Sequence, residues 1–415
     1  MAKRFNYLNY RGWCDTRVLH FIAALLYGAL VVMTSIRAHA QTTEGPTPLG
    51  VDIPHIALLL PVDSSTFRRH GEALRDGFLA ASKVPDPATM LIRIYPVGED
   101  GKTAVTAYRQ AAQTGARLVV GPLIRSAATA VAMGDVSVPT LVLNMPEGPA
   151  SSRPNLYALG LQIETEARQA ARHAYREGRR AALTIASESA LLKRALNAFN
   201  EEFLKLGGHV TSEFLFNTSP AELERLKKAV DSKVADMAFL ALDARQARGV
   251  RTTLTPLPLY ATAQAYTGDI NTAAVVDLAG IRVFDMPWLL QREHAAVAIY
   301  PRQGYSNDPD LERLYALGID AWRIGQAMMA KHTEINIDGV TGDLKQGRDR
   351  QFTRELASVR LGDNLPVSAV GTVAPPPAPA PDKPIPVIKP VPRSDKAAGQ
   401  STSKSASKSP APKQP

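Results

Sequence analysis

Short, nearly continuous apolar runs alternate along the chain with longer stretches whose apolar positions recur every three or four residues. His55-Ile56-Ala57-Leu58-Leu59-Leu60, stopped by Pro61, has the pattern of a parallel strand buried on both faces. Residues 64–83 follow with Phe67, Ala73, Leu74, Phe78 and Ala81 on one helical face. The same reading predicts strands at 90–95 and 117–120, the second stopped by Gly121-Pro122. It also predicts helices at 102–114 and 124–133, and a fourth strand at 139–143. Repeated strand–helix units imply a parallel sheet with helices on both faces.

The rhythm then restarts. A helix over 164–177 stops at Gly178, and strand 180–186 and helix 188–206 follow. Strand 209–215 leads to a helix over 219–231, with Ser219 suited to the N-cap and Pro220 to the first turn. Strands at 236–242 and 258–262 complete the second run. After Val283 comes an irregular piece, then a helix over 309–330 that buries Leu311, Leu314, Tyr315, Ile319, Trp322 and Ile324. Residues 335–361 carry turn signals at Asp338-Gly339 and Gly342-Asp343 and read as a hairpin. Two successive α/β runs of this length predict two lobes. Breaks near Gly160-Leu161, Pro287 and Asn336 are the expected crossings. Lobe one then takes about 53–160 and 287–335, and lobe two about 161–286 and 336–365.

The two ends have a different character. Lys3, Arg4, Arg11 and Arg17 precede an apolar run from Val18 to Met33 and an Ala38-His39-Ala40 exit. That order is the pattern of a cleavable secretory signal over 1–40, and the apolar run is short for a membrane span. The expected mature chain is periplasmic, starts near Gln41 and has a short linker over 41–52. An uncleaved N-terminal anchor is the alternative. The chain's single cysteine, Cys14, lies before the cleavage site, so no disulfide or thiolate chemistry is expected in the mature protein. A lipid anchor needs a cysteine directly after cleavage, and Gln41 stands there. Residues 366–415 form a proline- and lysine-rich tail with the composition of a disordered segment.

Net charge changes meaning once it is divided. The whole chain is +9, of which residues 1–40 carry +4 and residues 371–415 carry +5, leaving the body neutral. A neutral body offers no basic face for nucleic acid. The basic tail is expected to touch peptidoglycan, an anionic membrane surface or a partner protein. Metalloprotease, nucleophile-elbow and phosphate-loop motifs are absent from the sequence, and among His55, His70, His173, His209, His294 and His332, the histidines left after the expected cleavage, none pairs at metal-ligand spacing. The expectation is therefore no catalytic residues, no metal and no cofactor.

Several segments carry a resemblance. "HIALLLPVD", "GEALRDGFLAA", "GARLVVGPL", "VPTLVLN" and the stretch from Pro154 to Ile185 resemble the type I periplasmic-binding-protein fold. More narrowly they are similar to the penicillin-binding protein activator family, LppC-type outer-membrane lipoproteins. The closing Gly339-Val340-Thr341-Gly342-Asp343-Leu344 matches that family's hairpin, and the resemblance spans about 53–362. It implies a two-lobed α/β body and a non-catalytic regulator of peptidoglycan synthesis that binds a penicillin-binding protein or another envelope protein. This chain departs in lacking the lipid-accepting cysteine and a leading helical-repeat domain. It also has Ala-Ser-Glu-Ser-Ala at 186–190, where relatives often place an aromatic-glycine pair.

In such a fold a ligand sits between the lobes, against loops at the carboxyl ends of the strands. In lobe one these loops hold Asp63, Ser64, Ser65, Gly121, Pro122, Arg125, Ser126 and Asn144. In lobe two they hold Ser187, Glu188, Asp243 and Gln264. Ser64 and Gly121-Pro122 also suit a helix cap and a tight strand exit. Arg125, opening a helix, suits a carboxylate or phosphate. The alternative function is a solute-binding protein that delivers a small polar ligand to an ABC transporter.

Overall fold

The structure is a computed structural model and describes residues 53–84, 90–148, 153–267, 276–302, 304–305 and 308–363. The expected signal, linker and tail lie outside the described residues.

The first sheet has the order β2-β1-β3-β4-β5 and is parallel throughout. Its strands are β1 (His55–Leu60), β2 (Leu91–Pro96), β3 (Ala116–Val120), β4 (Thr140–Val142) and β5 (Leu156–Ala158). Helices α1 (Arg68–Ala81), α2 (Gly101–Gln113) and α3 (Arg125–Met133) connect the first four. β5, which alternation in so short a run does not reveal, closes the sheet beside β4. β1 is buried along its whole length, as its apolar run predicts.

The second run contains α4 (Ile163–Arg176), β6 (Ala181–Ala186), α5 (Ala190–Lys205), β7 (His209–Leu215) and α6 (Pro220–Asp231). It continues with β8 (Met237–Ala241), α7 (Ala244–Arg251), β9 (Leu259–Thr262) and β10 (Ile281–Asp285). The predicted Ser219 cap forms, accepting from the Glu222 amide. The second sheet is parallel in the order β10-β9-β8-β6-β7, with β14 (Ala357–Arg360) added antiparallel beside β10.

Two corrections concern the segment after residue 280. An unpredicted strand, β10, spans Val283, and the piece expected to be irregular after it holds two single-turn helices, α8 (Pro287–Leu290) and α9 (Ala295–Ala298). The hairpin is also more than a hairpin. β11 (Asn336–Gly339), β12 (Gly342–Gln346) and β13 (Phe352–Glu355) form their own antiparallel sheet. Ile335, Val340, Leu344 and Phe352 join the core that contains Leu58, Leu74 and Trp322 of the first lobe. Ala357, Val359 and Leu361 join the second lobe's core. The last crossing therefore falls at Glu355-Leu356 rather than near Asn336.

The long helix α10 (Pro309–Met329) packs on α1 at unusually close range. A Cβ at Gly77 would lie 1.9 Å from the Tyr315 carbonyl oxygen, and one at Gly318 would lie 2.1 Å from that of Leu74. Only a residue without a side chain lets the two backbones meet there. The apolar face predicted for 309–330 is buried at Leu311, Tyr315, Ile319, Trp322 and Ile324, with Leu314 partly covered. Phe78 meets Trp322 edge to face at 5.3 Å between ring centres.

Candidate functional site

The strand-end residues take up local duties. Ser64 is buried, accepts from the Phe67 amide at 2.8 Å and donates to Glu99 Oε1 at 2.6 Å. The bond from Ser64, followed by one from Thr66, holds the Glu99 carboxyl below its ordinary range. Ser126 donates to the Glu99 carbonyl at 3.3 Å, so Ser64 and Ser126 converge on one residue that the sequence reading missed. Gly121 leaves β3 with a positive φ and a cis bond to Pro122, against the Leu59 carbonyl. Asn144 donates to the Leu123 carbonyl at 3.0 Å and accepts from the Met145 amide, tying two strand exits together. Asp63 and Ser65 are exposed in the turn after β1. Arg125 opens α3 with no partner among the described residues, behind an Ile124 N-cap whose side chain makes no capping bond.

In the second lobe, Ser187 is buried and accepts from the Ser189 amide at 3.0 Å. Glu188 pairs with Lys193 at 2.7 Å on the surface. Asp243 and Gln246 form a reciprocal capping box at the start of α7. Gln264 lies in a single 3-10 turn after β9. Among the described residues, no hydrogen bond or ion pair joins a first-lobe candidate to a second-lobe one. The carboxyl-end rule gathers residues whose polar groups mostly satisfy nearby backbone.

The convergence lies instead where the chain passes between lobes. Asp285, at the end of β10, is 2% exposed and receives Arg313 Nη2 of α10 at 2.7 Å. Arg313 Nε reaches the same carboxylate at 3.2–3.3 Å, and Tyr266 Oη donates to it at 2.8 Å. Thus a first-lobe helix is bound to a second-lobe strand by a charge pair removed from water. Arg354 of β13, also buried, donates from Nε to the Gly160 carbonyl at 3.2 Å and from Nη1 to the Thr341 carbonyl at 3.0 Å. Gln169 of α4 exchanges both its amide groups with the Leu356 backbone, at 2.8 and 2.9 Å. The crossings at Gly160, Asp285-Met286 and Leu356 are each gripped by a buried side chain from another element.

The Gly339–Gly342 turn is the second anchor of this region. Asp320, fully buried on α10, accepts from the Val340 and Thr341 amides at 3.1 and 2.7 Å and from Thr341 Oγ1 at 2.7 Å. Its carboxyl is pushed up by burial, against the pull of Arg323 and Thr341. The Trp288 amide donates to the Val340 carbonyl at 2.9 Å, joining the turn to the second crossing.

Glu166 of α4 points its carboxyl at the same centre and accepts from the Ala263 amide at 3.1 Å. Burial, then the Asp285 charge, push it up to about 7, opposed by Arg313 and Arg354. Part of the Glu166 residue still reaches the surface, but its carboxyl group sits among those charges. Four ionisable groups, on α4, β10, α10 and β13, thus feel one another's charge. None was singled out from the sequence. The available signal was the placement of Glu312, Arg313 and Asp320 within an otherwise apolar helix.

Among the described residues no helix is long and apolar enough to cross a membrane, and no group of His, Cys, Asp or Glu could hold a metal ion. A family model described as "LppC putative lipoprotein" matches residues 50–363. The penicillin-binding protein activator LpoA of Klebsiella pneumoniae is 28% identical over 300 residues, 62% of this chain and 42% of that protein. The chain spans less than half the length of the activator relatives it matches. A structure from Chromobacterium violaceum, described as "a putative branched-chain amino acid ABC transporter", is 36% identical with a TM-score of 0.65, covering 74% of this chain and 99% of that one. The LpoA C-domain from Haemophilus influenzae, described as a regulator of PBP1A, aligns with a TM-score of 0.62 at 22% identity over 75% and 98% of the two chains, a likeness of fold.

Proposed function

The chain belongs to the LppC family, and from that premise we propose that it is a non-catalytic periplasmic protein that regulates peptidoglycan synthesis by binding a penicillin-binding protein. The names of its activator relatives supply the partner class. The observation that carries the choice of mechanism is the gripped hinge. A solute trap closes through crossings free to change their backbone angles. Here the buried Arg313–Asp285 pair ties the lobes directly, while Arg354–Gly160 and Gln169–Leu356 hold the backbone on either side of the other two crossings. Such a body suits docking as a fixed unit.

The N-terminal signal delivers the protein to the periplasm, and the basic tail holds it near peptidoglycan or anionic membrane. A second reading is favoured by the 36% identity to the Chromobacterium violaceum structure: a solute-binding protein whose strand-end rim, with Arg125, meets a small ligand. Immobilised full-length chain incubated with envelope extract labelled by fluorescent penicillin separates the two. Retention of a labelled synthase, lost on competition with free chain, supports regulation. No labelled protein retained, together with a small-molecule thermal shift abolished by Arg125→Ala, supports the trap.

A further inference from the structure

The two carboxylates beside the lobe crossings have opposite surroundings. Asp285 is saturated: it accepts from Arg313 Nε and Nη2, from Tyr266 Oη and from the Met286 amide. Glu166, in the first turn of α4, accepts from the Ala263 amide at 3.1 Å and forms no ion pair among the described residues. Ala263 opens the 3-10 turn that leaves β9. Beside it, Thr262 is fully buried and its hydroxyl has no partner. The seam between α4 and the ends of β9 and β10 is therefore thinly bonded, although the crossings around it are gripped.

Charges reach Glu166 from several elements. Asp285 of β10 repels its ionised form, whereas Arg313 of α10 and Arg354 of β13 attract it. Tyr266, just past the 3-10 turn, also feels both carboxylates. On α4 itself, Glu164 is taken by Arg194 of α5 at 2.9 Å, and Arg168 reaches Glu201 of α5 at 3.8 Å. With Glu166 ionised, the set of Glu166, Asp285, Arg313 and Arg354 is neutral; with Glu166 protonated it carries one positive charge. That excess falls on Arg354, whose bonds among the described residues go to the Gly160 and Thr341 carbonyls. Burial lowers Arg354, and Glu166 is the leading charge that opposes this. Charge balance thus favours ionised Glu166, while burial and Asp285 favour the protonated form. The opposed pulls leave this one carboxyl poised near neutral pH.

We propose that Glu166 is a proton-operated latch on the lobe crossings. Protonated, its side chain stays among the strand ends and α4 stays seated on them. Ionised, it is drawn toward water, which part of the residue already reaches, and the first turn of α4 lifts from Ala263. The lift also loads Gln169, one turn along the helix, which holds the Leu356 backbone at the third crossing. Linkage sets the direction. The seated form, whose carboxyl titrates near 7, loses ground to a hydrated form as pH rises from the ordinary carboxylate range, and the loss levels off above 7. The latch deepens the regulator reading, because the rigidity of the docking body then follows ambient acidity. It rests on that reading only for what the rigidity serves, and its test needs no partner.

Hydrogen exchange of the full chain at pH 5 and pH 8, corrected for the intrinsic exchange rate, reads the latch at single amides. The Ala263 and Leu356 amides, both held by α4 side chains, should open about tenfold or more as often at pH 8. Amides of β8, an inner strand of the same sheet, should stay better protected than either at both values. Glu166→Gln keeps an acceptor for the Ala263 amide and should abolish the pH dependence of opening at both positions. Carbon-13 titration of the Glu166 carboxyl in the unaltered chain is a second measurement that does not depend on the variant, with a midpoint expected near 7. Ala263 and Leu356 protected as fully as β8, the same pH dependence in Glu166→Gln, or a midpoint in the ordinary carboxylate range would each overturn the proposal.

Discussion

Replacing Arg313 by methionine probes the hinge most sharply. The change removes three contacts to Asp285, the shortest at 2.7 Å, and leaves a carboxylate that is 2% exposed. Breaking one side of a buried ion pair costs about 3–5 kcal/mol. Asp285 would keep Tyr266 Oη and the Met286 amide as neutral donors, at 2.8 and 2.7 Å. The expected cost is therefore at the lower end, about 3 kcal/mol. The lost bond to Asp310 adds little, since that carboxylate is 64% exposed. Asp285→Asn alone should be comparably harmful, because it strands the guanidinium. The double variant should recover much of the loss, since a neutral pair carries no desolvated charge. Equilibrium urea unfolding of the full chain gives the four stabilities and their coupling. A single-variant cost below about 1 kcal/mol, the scale of an exposed pair, would refute the claim that this charge pair holds the lobes. Strict additivity of the two changes would refute it equally.

Three further outcomes follow from the same packing. Glu166, raised to about 7, prefers to be protonated in the folded protein, so its contribution is complete below its unfolded value and is lost as pH rises through 7. Glu166→Gln should match wild type near pH 4 and exceed it at pH 8 by on the order of 2 kcal/mol, allowing for the partly exposed residue; a pH-independent difference in urea stability would contradict this. Gly77→Ala would place a methyl 1.9 Å from the Tyr315 carbonyl oxygen and should cost about 3 kcal/mol or more, read as a fall in melting temperature. In a Cys14→Ser background, spin labels at Gln110→Cys and Lys227→Cys should report one interlobe distance with or without a panel of polar solutes. A ligand-dependent second distance would show that the hinge is free.

Much of the fold was legible because buried parallel strands and amphipathic helices have different periods. β1, α1 and α10 announce themselves in this way. What failed has a common physical cause. β13 and β14 share the same two-residue alternation, and alternation does not say which sheet a strand joins, so the last crossing was misplaced by about one hairpin. β10 was not predicted, because Arg282 and Asp285 interrupt its apolar pattern, and the partner that accounts for a charge at Asp285 is Arg313, 28 residues away. The same separation hid the hinge. Glu166, Asp285, Arg313 and Arg354 lie on four elements, and no local spacing brings them together. The strand-end rule picked loop residues, but Ser64, Asn144 and Asp243 cap and tie nearby backbone.

The central claim is that this body regulates a peptidoglycan synthase by docking on it. The most direct measurement is the rate of glycan polymerisation and crosslinking by a purified bifunctional penicillin-binding protein from the same organism, with and without the full-length chain. The account predicts a saturable rise in rate that survives every polar solute added and is lost when the hinge is disrupted by Arg313→Met. An unchanged rate at saturating chain, with no complex detected between the two proteins, would contradict it.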